Sequence, residues 1–380
     1  AFEEYINKYP DSPKLKNAYE YLLAIYYTTK NYEGALKSLD NIKVKDIKML
    51  EAYQKIAHLR ALELFNNHKY QEALKYFDLS DKYPYDKKIA AKNAYWRAET
   101  YYRLGDYKQA IEKYKQFISL PFASALPFYN KANYHIGYAY FKLKDYKNAE
   151  FWFRKFVNNE SNQKSKVYAD ALNRIADCFF IQKDYRAAIE YYDKAIMANN
   201  WQVDYALYQS ALANGVEKNY QDKADLLQTL IVTYPKSKYT DNAVFELGET
   251  YFLLNQPEKA LQQYEKIITD YPNSVFYKKA LLKKGLYYFN TKQDDEAIAV
   301  FKEVIDKYPQ SEEAQQALEK IKLIYMDNGK LSEYEAYVST LPFADAAATV
   351  QETDYYQVAE NFFMESNCEK AIPAFTDYLN

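Results

Sequence analysis

The sequence predicts an all-α fold, a solenoid of about ten stacked helix pairs. Only 7 Gly and 11 Pro occur in 380 residues, which leaves little turn chemistry for a β-rich protein. A short motif also recurs every 37 to 39 residues along much of the chain. A fixed interval of this size is typical of architectures in which each repeat is one supersecondary unit.

The motif consists of an aromatic or turn residue, two polar residues and then alanine. It occurs at Tyr32–Ala35, Tyr70–Ala73, Tyr107–Ala110, Tyr146–Ala149, Tyr185–Ala188, Pro257–Ala260, Asp294–Ala297 and Cys368–Ala371. Twelve residues earlier stands a second small residue in six copies, namely Ala61, Ala98, Gly137, Ala176, Gly248 and Gly285. Small residues at this spacing predict two closely packed helices, A and B, in each repeat. Gly105 and Gly329 are expected in the turn between the two helices, where a left-handed residue is needed.

Helix B carries two further signals. A ring follows the alanine by four residues in six copies, namely Phe77, Tyr114, Phe153, Tyr192, Tyr264 and Phe301. We expect this ring to fill the gap to the next repeat. Proline cannot continue a helix, so helix B is expected to end before Pro84, Pro121, Pro235, Pro272 or Pro309.

These residues resemble the tetratricopeptide repeat family. In residues 278–309, helix A carries Gly285 and Tyr288, and helix B carries Ala297 and Phe301 before Pro309. The resemblance covers nearly the whole chain and implies a right-handed α-α superhelix with the A helices on its concave face. The interval exceeds the family's usual 34 residues, so the extra residues are expected between repeats.

The pattern divides the chain into four segments. Residues 1–12 are expected to be the tail of a preceding repeat, 13–340 an array of about nine helix pairs, 341–354 a linker, and 355–380 a further unit cut at its C-terminal end. Two units are irregular. Asn214-Gly215 stands where a helix A should continue, and Tyr334 replaces the motif alanine. Pro373 is expected to interrupt the last helix B.

Bulk composition disfavours several classes of partner. The chain has 50 Lys and Arg against 52 Asp and Glu, whereas nucleic-acid binders usually show a basic excess or stripe. No run of 18 apolar residues is present, so we expect no membrane span. Cys178 and Cys368 lie 190 residues apart and are expected to be small packing residues rather than a disulfide.

No motif for catalysis is present. The three histidines, at residues 58, 68 and 135, form no metal-ligand motif, and the sequence lacks zinc-ligand spacing, a calcium loop and a phosphate-binding glycine loop. Acidic residues on exposed helix faces are solubilising more often than catalytic. We therefore expect no enzymatic activity, no metal and no cofactor.

One stripe of helix A contains the candidate partner-binding residues. With the small residue numbered position 8, positions 5, 9 and 12 share a face by helical spacing. The candidates on this stripe are Tyr95, Glu99, Tyr102, Tyr134, Tyr138, Phe141, Phe245, Glu249 and Phe252. The rings are either core between helices or the lining of a groove for an extended peptide or partner helix. Solvent exposure distinguishes these interpretations.

A second motif refines the resemblance. Four repeats contain Tyr-Pro-x-Ser, at residues 9–12, 234–237, 271–274 and 308–311, and the serine is expected to cap the next helix A. The motif is similar to that of bacterial cell-envelope members, such as the outer-membrane assembly lipoprotein and the Tol-Pal coordinator. That likeness implies a periplasmic or outer-membrane-associated protein. No repeat pairs Lys at position 5 with Asn at position 9, which disfavours binding of chaperone C-terminal tails.

The leading functional interpretation is a non-catalytic scaffold that presents its concave A helices to a protein or peptide, without binding nucleic acid. Two alternatives remain. One is a protein that binds a glycan or small solute in an aromatic-lined groove. The other is the interaction region of a larger protein whose active domain lies outside this sequence.

Overall fold

A computed structural model describes residues 2–42, 45–342 and 350–379. Within these ranges the chain forms twenty-one α-helices and no strand. It divides into two compact units, Ala1–Gln202 (unit 1) and Val203–Asn380 (unit 2), a division that the repeat pattern did not predict. The all-α repeat fold is confirmed.

Unit 1 contains eleven helices in its described residues. They are α1 (Phe2–Lys8), α2 (Leu15–Thr28), α3 (Tyr32–Asp40), α4 (Ile47–Asn66), α5 (Tyr70–Asp81), α6 (Lys87–Arg103), α7 (Tyr107–Ser119), α8 (Tyr129–Lys142), α9 (Tyr146–Asn158), α10 (Lys166–Ile181) and α11 (Tyr185–Ala198). A short 3-10 turn, Ala123–Ala125, lies between α7 and α8.

Unit 2 contains ten helices in its described residues. They are α12 (Val203–Val216), α13 (Tyr220–Thr233), α14 (Thr240–Leu253), α15 (Pro257–Asp270), α16 (Tyr277–Asn290), α17 (Asp294–Lys307), α18 (Glu312–Asp327), α19 (Leu331–Val338), α20 (Glu352–Met364) and α21 (Cys368–Leu379). Helix α20 begins inside the expected linker, of which residues 343–349 lie outside the described part.

Each even-numbered helix is a helix A, and it packs against the helix B that follows it. Within each unit most B helices also pack against the next helix A. Helices α13, α15 and α17 end two residues before Pro235, Pro272 and Pro309, as the sequence predicted. Within each unit the stacking buries apolar side chains in clusters between neighbouring helices, and no single pair could hide them alone.

The small residue of helix A permits a close contact with helix B. A Cβ atom at Gly137 would lie 2.8 Å from the Phe153 ring, and one at Gly248 would lie 2.7 Å from Tyr264. The ring of helix B thus packs against helix A of its own repeat. The Tyr114 ring also stacks on His135 of the next helix A, with ring centroids 5.7 Å apart, so the contact with helix A of the same repeat adds to the expected contact with the next repeat.

The irregular units fold as helix pairs. Helix α12 runs unbroken through Asn214-Gly215. Gly215 faces Lys223 on the partner helix, and a Cβ there would lie 3.0 Å from the Lys223 side chain. Lys223 occupies the position of the motif alanine, and its buried ammonium lies 2.7 Å from the carboxylate of Glu246.

The last helix contradicts an expectation, since α21 continues through Pro373. Pro373 lacks the N–H that would donate to the Glu369 carbonyl. The motif serines also differ from one another. Ser311 caps α18 as expected, but Ser237 and Ser274 donate to Asp204 (2.6 Å) and Asp241 (2.8 Å) of the preceding helix A.

The turn between helix A and helix B requires a left-handed residue in every pair. Gly105 (φ 81°) and Gly329 (φ 69°) occupy two of these turns, as expected from the sequence. The other eight turns place a residue with a side chain in the same region, namely Lys30, His68, Lys144, Lys183, Lys218, Asn255, Lys292 and Ser366. An L-residue in this conformation costs about 1 kcal/mol.

Replacing Lys183 by glycine is expected to stabilise unit 1 by about 0.5 kcal/mol, because relief of the left-handed strain outweighs the larger backbone entropy of glycine. The midpoint of urea unfolding measures the change. Gly105→Ala is the matched control. No neighbour lies within 4 Å of the added Cβ, so only backbone strain should lower stability, by about 1 kcal/mol. Unchanged midpoints in both variants would contradict this account.

Candidate functional site

The candidate stripe on helix A is partly core. Tyr95 and Phe245 are buried, at 5% and 8% exposure. The Tyr95 ring contacts the rings of Phe117 and Phe128. Burial of this degree leaves no surface for a partner at position 5 of these two repeats.

In three repeats, position 9 of helix A holds a carboxylate that accepts a hydrogen bond from a tyrosine of helix B. The Tyr192 hydroxyl donates to Asp177 and the Tyr264 hydroxyl donates to Glu249, each over 2.6 Å. Tyr114 donates to the buried Glu99 in the same way. A buried phenol requires an acceptor, so each repeat whose helix B ring is tyrosine supplies an acid fifteen residues earlier.

Repeats with phenylalanine at the ring position lack the acid. Phe77, Phe153 and Phe301 stand opposite Leu62, Tyr138 and Leu286 at position 9. This pairing was readable from the sequence, yet sequence reasoning assigned Glu99 and Glu249 to a binding surface. The structure gives both a hydrogen-bonding role inside the repeat.

Each of these carboxylates has a second, nitrogen-containing partner. Lys283 of the next helix A lies 2.8 Å from Glu249, and His135 lies 3.2 Å from Glu99. The Arg174 guanidinium lies 2.6 Å from Asp177. The carboxylates therefore join helix A to helix B and, in two repeats, to the following repeat.

Tyr134 and Tyr138 share one acceptor. The Tyr134 hydroxyl donates to an Asp170 oxygen over 2.8 Å, and Tyr138 donates to the same oxygen. Burial, with this carboxylate nearby, raises the pKa of both phenols well above the usual range. Both rings are half-buried, so they lie at the surface of unit 1 but are held by α10.

In four repeats the ring at position 12 packs on the tyrosine that begins helix B. The rings of Tyr102 and Phe141 are half-buried and meet the first residue of helix B, Tyr107 or Tyr146, at a centroid distance of 5.3 Å. Phe65 and Phe180 make the same contact with Tyr70 and Tyr185.

Phe252 lacks that contact, because helix α15 begins with Pro257 instead of tyrosine. Its ring is 59% exposed. Of the nine candidate residues, Phe252 presents the most exposed ring.

A cleft of about 340 Å³ opens beside Phe252, between α14, α15 and α16. Most of its exposed wall is apolar, and several polar groups converge on it. Its lining residues are Phe252, Asn255, Pro257, Ala260, Tyr264, Lys283, Leu286, Tyr287, Asn290 and Thr291. The combination of an apolar wall with a few convergent polar groups is typical of ligand sites.

The described residues contain no group of three His, Cys, Asp or Glu side chains placed to hold a metal ion. None of the helices in the described ranges is long and apolar enough to cross a bilayer. Cys178 is buried, and burial raises its thiol pKa above the usual range, whereas Cys368 is exposed.

Tyr192→Phe is expected to lower the free energy of unfolding by about 1.5–3 kcal/mol, because a buried hydrogen bond to a charged group is lost. Urea unfolding monitored by circular dichroism measures the change. Tyr191→Phe is the control, since its half-buried ring stacks on Phe179 and that contact survives. Equal effects of the two variants would show that the bond to Asp177 contributes nothing.

Stability is expected to fall between pH 6.5 and about 4 through His58. Burial lowers the pKa of His58 to about 4, while the imidazole donates from Nδ1 to Asn93 over 2.6 Å. Within that window the unfolded chain binds a proton that the folded chain does not, so acidification favours unfolding. His58→Gln should show a shallower loss than wild type between pH 7 and 4.5. Parallel profiles would contradict this.

Family models of the tetratricopeptide repeat match residues 58–123, 95–165, 169–199, 205–237, 242–274 and 279–311. Together they cover more than half of the chain, and they include the unit with Lys223. No curated protein sequence is significantly similar to the chain.

Solved structures share the fold. The C-terminal part of a tetratricopeptide-repeat protein from Cytophaga hutchinsonii is 19% identical with a TM-score of 0.56, over 69% of this chain and 99% of that one. The structure of Naa15/Naa10 bound to HypK-THB is 14% identical with a TM-score of 0.53, over 84% and 49%. On the matched repeats, this chain belongs to the tetratricopeptide repeat family.

Proposed function

We propose that the chain is a non-catalytic scaffold that binds a protein partner in a bacterial envelope assembly. Repeats of this family serve as scaffolds for protein–protein contacts, and the cleft beside Phe252 is the best site for such a contact. The observation that carries the proposal is the exposed Phe252 ring above a largely apolar cleft. An exposed ring next to a cavity can anchor a partner side chain.

The polar groups of the cleft suit a peptide. Asn255 and Asn290 bring side-chain amides, which can both donate and accept hydrogen bonds to a peptide backbone. Lys283 is held by Glu249, so its ammonium is fixed at the wall rather than free to fold over the cleft. A site held in this way loses little side-chain entropy when a partner binds.

The envelope location is supported by the Tyr-Pro-x-Ser motif at residues 9–12, 234–237, 271–274 and 308–311, which resembles that of envelope members of the family. The chain would then act in the periplasm or at the outer membrane. A larger protein could contain it as an interaction region, and the cleft would serve the same role there.

A small solute or glycan is the second candidate ligand, and the cleft itself favours it. About 340 Å³ with an apolar wall and side chains of Lys283, Asn255 and Asn290 is large enough for a small molecule. Peptides and glycans differ in the partner groups they offer, so direct binding measurements separate the two candidates.

Phe252→Ala is expected to weaken peptide binding at least about tenfold, because truncation of an aromatic anchor costs roughly 2 kcal/mol. Peptides selected from a random phage library on the wild-type chain supply the ligands, and calorimetry measures their affinity for both proteins. Phe363→Ala is the matched control, since Phe363 is also a position 12 ring and is 62% exposed. Equal affinity for all three proteins, or selection of glycans from an array instead, would refute the peptide site.

A further inference from the structure

The two units carry opposite charge, which the near-neutral total conceals. Unit 1 holds 33 Lys and Arg against 24 Asp and Glu, whereas unit 2 holds 17 against 28. The near-equal numbers of basic and acidic residues in the whole chain, which disfavoured polyanionic partners, therefore do not hold within either unit. A basic surplus of this size attracts anions to unit 1.

The lysines of unit 1 gather where its A helices begin. A and B helices alternate and run antiparallel in unit 1, so α2, α4, α6, α8 and α10 all start at one edge. None of these five helices has an acidic residue in its first turn. Exposed lysines stand there, namely Lys16, Lys48, Lys87, Lys88, Lys131 and Lys166. We call these six lysines the basic edge.

Lysines in the first turn of a helix are opposite to the charge that helices usually carry there. The dipole puts partial positive charge at the amino end, where acids stabilise a helix and lysines do not. Four of the five A helices in unit 2 follow the preference, since α12, α14, α18 and α20 each have an acidic residue in the first turn, whereas α16 has none. In unit 1 the lysines and the helix dipoles instead add to one positive potential.

Few acids at this edge offset the lysines. Asp46 and Asp86 cap α4 and α6 by accepting backbone N–H groups, and Lys16 lies 2.7 Å from Asp46. Asp11 and Glu160 are the other two acids in the turns that precede these helices. Asp40 and Asp81 end α3 and α5 at the same edge, and Asp81 pairs with Arg97 over 2.7 Å. The remaining five lysines of the basic edge have no carboxylate within 4 Å in the described structure.

Large apolar side chains are exposed along the same edge. Tyr9, Ile47, Tyr85, Phe122 and Trp201 are each between 38% and 61% exposed, and each lies in or beside a turn that joins helix B to helix A. The ammonium of Lys166 lies 4.7 Å from the Trp201 ring centroid.

Phe122 is held outward by its loop. Its backbone is left-handed, with φ of 66°, which is costly for an aromatic residue. The adjacent Ala123 and the nearby Leu126 are buried in the core, so they anchor the loop while the Phe122 ring stays in solvent. Strain retained at an exposed ring points to a contact outside the chain.

We propose that the basic edge of unit 1, together with these apolar side chains, binds the surface of an anionic phospholipid bilayer. Lysines near a membrane are attracted by anionic headgroups, and aromatic rings favour the interface beside them. Single-stranded nucleic acid also attracts lysines and rings, but the aliphatic Ile47 offers no face for base stacking. The proposal is independent of the cleft in unit 2.

Sedimentation of the full chain with vesicles tests the proposal. Vesicles of phosphatidylglycerol and phosphatidylcholine should bind it, whereas phosphatidylcholine alone should not. Lys87→Glu combined with Lys88→Glu is expected to weaken binding at least about tenfold. These substitutions place acids in the first turn of α6, where the dipole favours them, so thermal unfolding should show a fold at least as stable as wild type.

Lys108→Glu with Lys147→Glu is the matched control, with the same charge change on exposed lysines at the opposite edge of unit 1. If this control loses vesicle binding to the same extent, the loss comes from net charge and not from the basic edge, and the proposal is overturned. Binding to neutral vesicles as tight as to anionic ones would overturn it too, as would preference for an oligothymidylate over vesicles. Phe252→Ala should bind vesicles like wild type, which keeps this test separate from the peptide cleft.

Discussion

Six repeats depend on the close approach of their two helices at one point, where a ring of helix B meets a residue of helix A with little or no side chain. The Phe153 ring fits over Gly137 because no Cβ atom stands between them. Close packing of this kind leaves no space for a larger residue. The ring is therefore completely buried, and its polarity decides what else the repeat must contain.

The position 9 acids follow from that contact. Tyrosine at the ring position brings a hydroxyl into the core, and Glu99, Asp177 and Glu249 accept its hydrogen bond. Glu99 and Glu249, which helical spacing placed on a candidate binding stripe, are thus needed to accept hydrogen bonds inside the repeat. Phe252 has no such internal role. Pro257 stands where other repeats have the tyrosine that packs on the position 12 ring, so the Phe252 ring stays exposed at the surface.

Much of the fold could be predicted from sequence, because the same motif recurs in many repeats and an irregular copy does not obscure the pattern. The motif alanines, the small residues of helix A and the prolines after helix B located the helix pairs, and the two glycine turns were placed correctly. Solvent exposure could not be predicted, because Tyr95 and Phe252 lie on the same helical stripe and differ only through residues on neighbouring helices. The continuous α12 was not predicted either, because tertiary packing overrides the low helix propensity of Asn214-Gly215.

The ion pair between Lys223 and Glu246 restricts the order in which repeats can follow one another. Glu246 stands at position 6 of α14, and the same position of α16 holds Lys283. Removal of the intervening 37-residue unit would leave a perfect repeat pattern but would bring Lys283 towards the buried Lys223. Two ammonium groups would then share a poorly hydrated site. Repeats that look interchangeable in sequence are thus matched to their neighbours by charge.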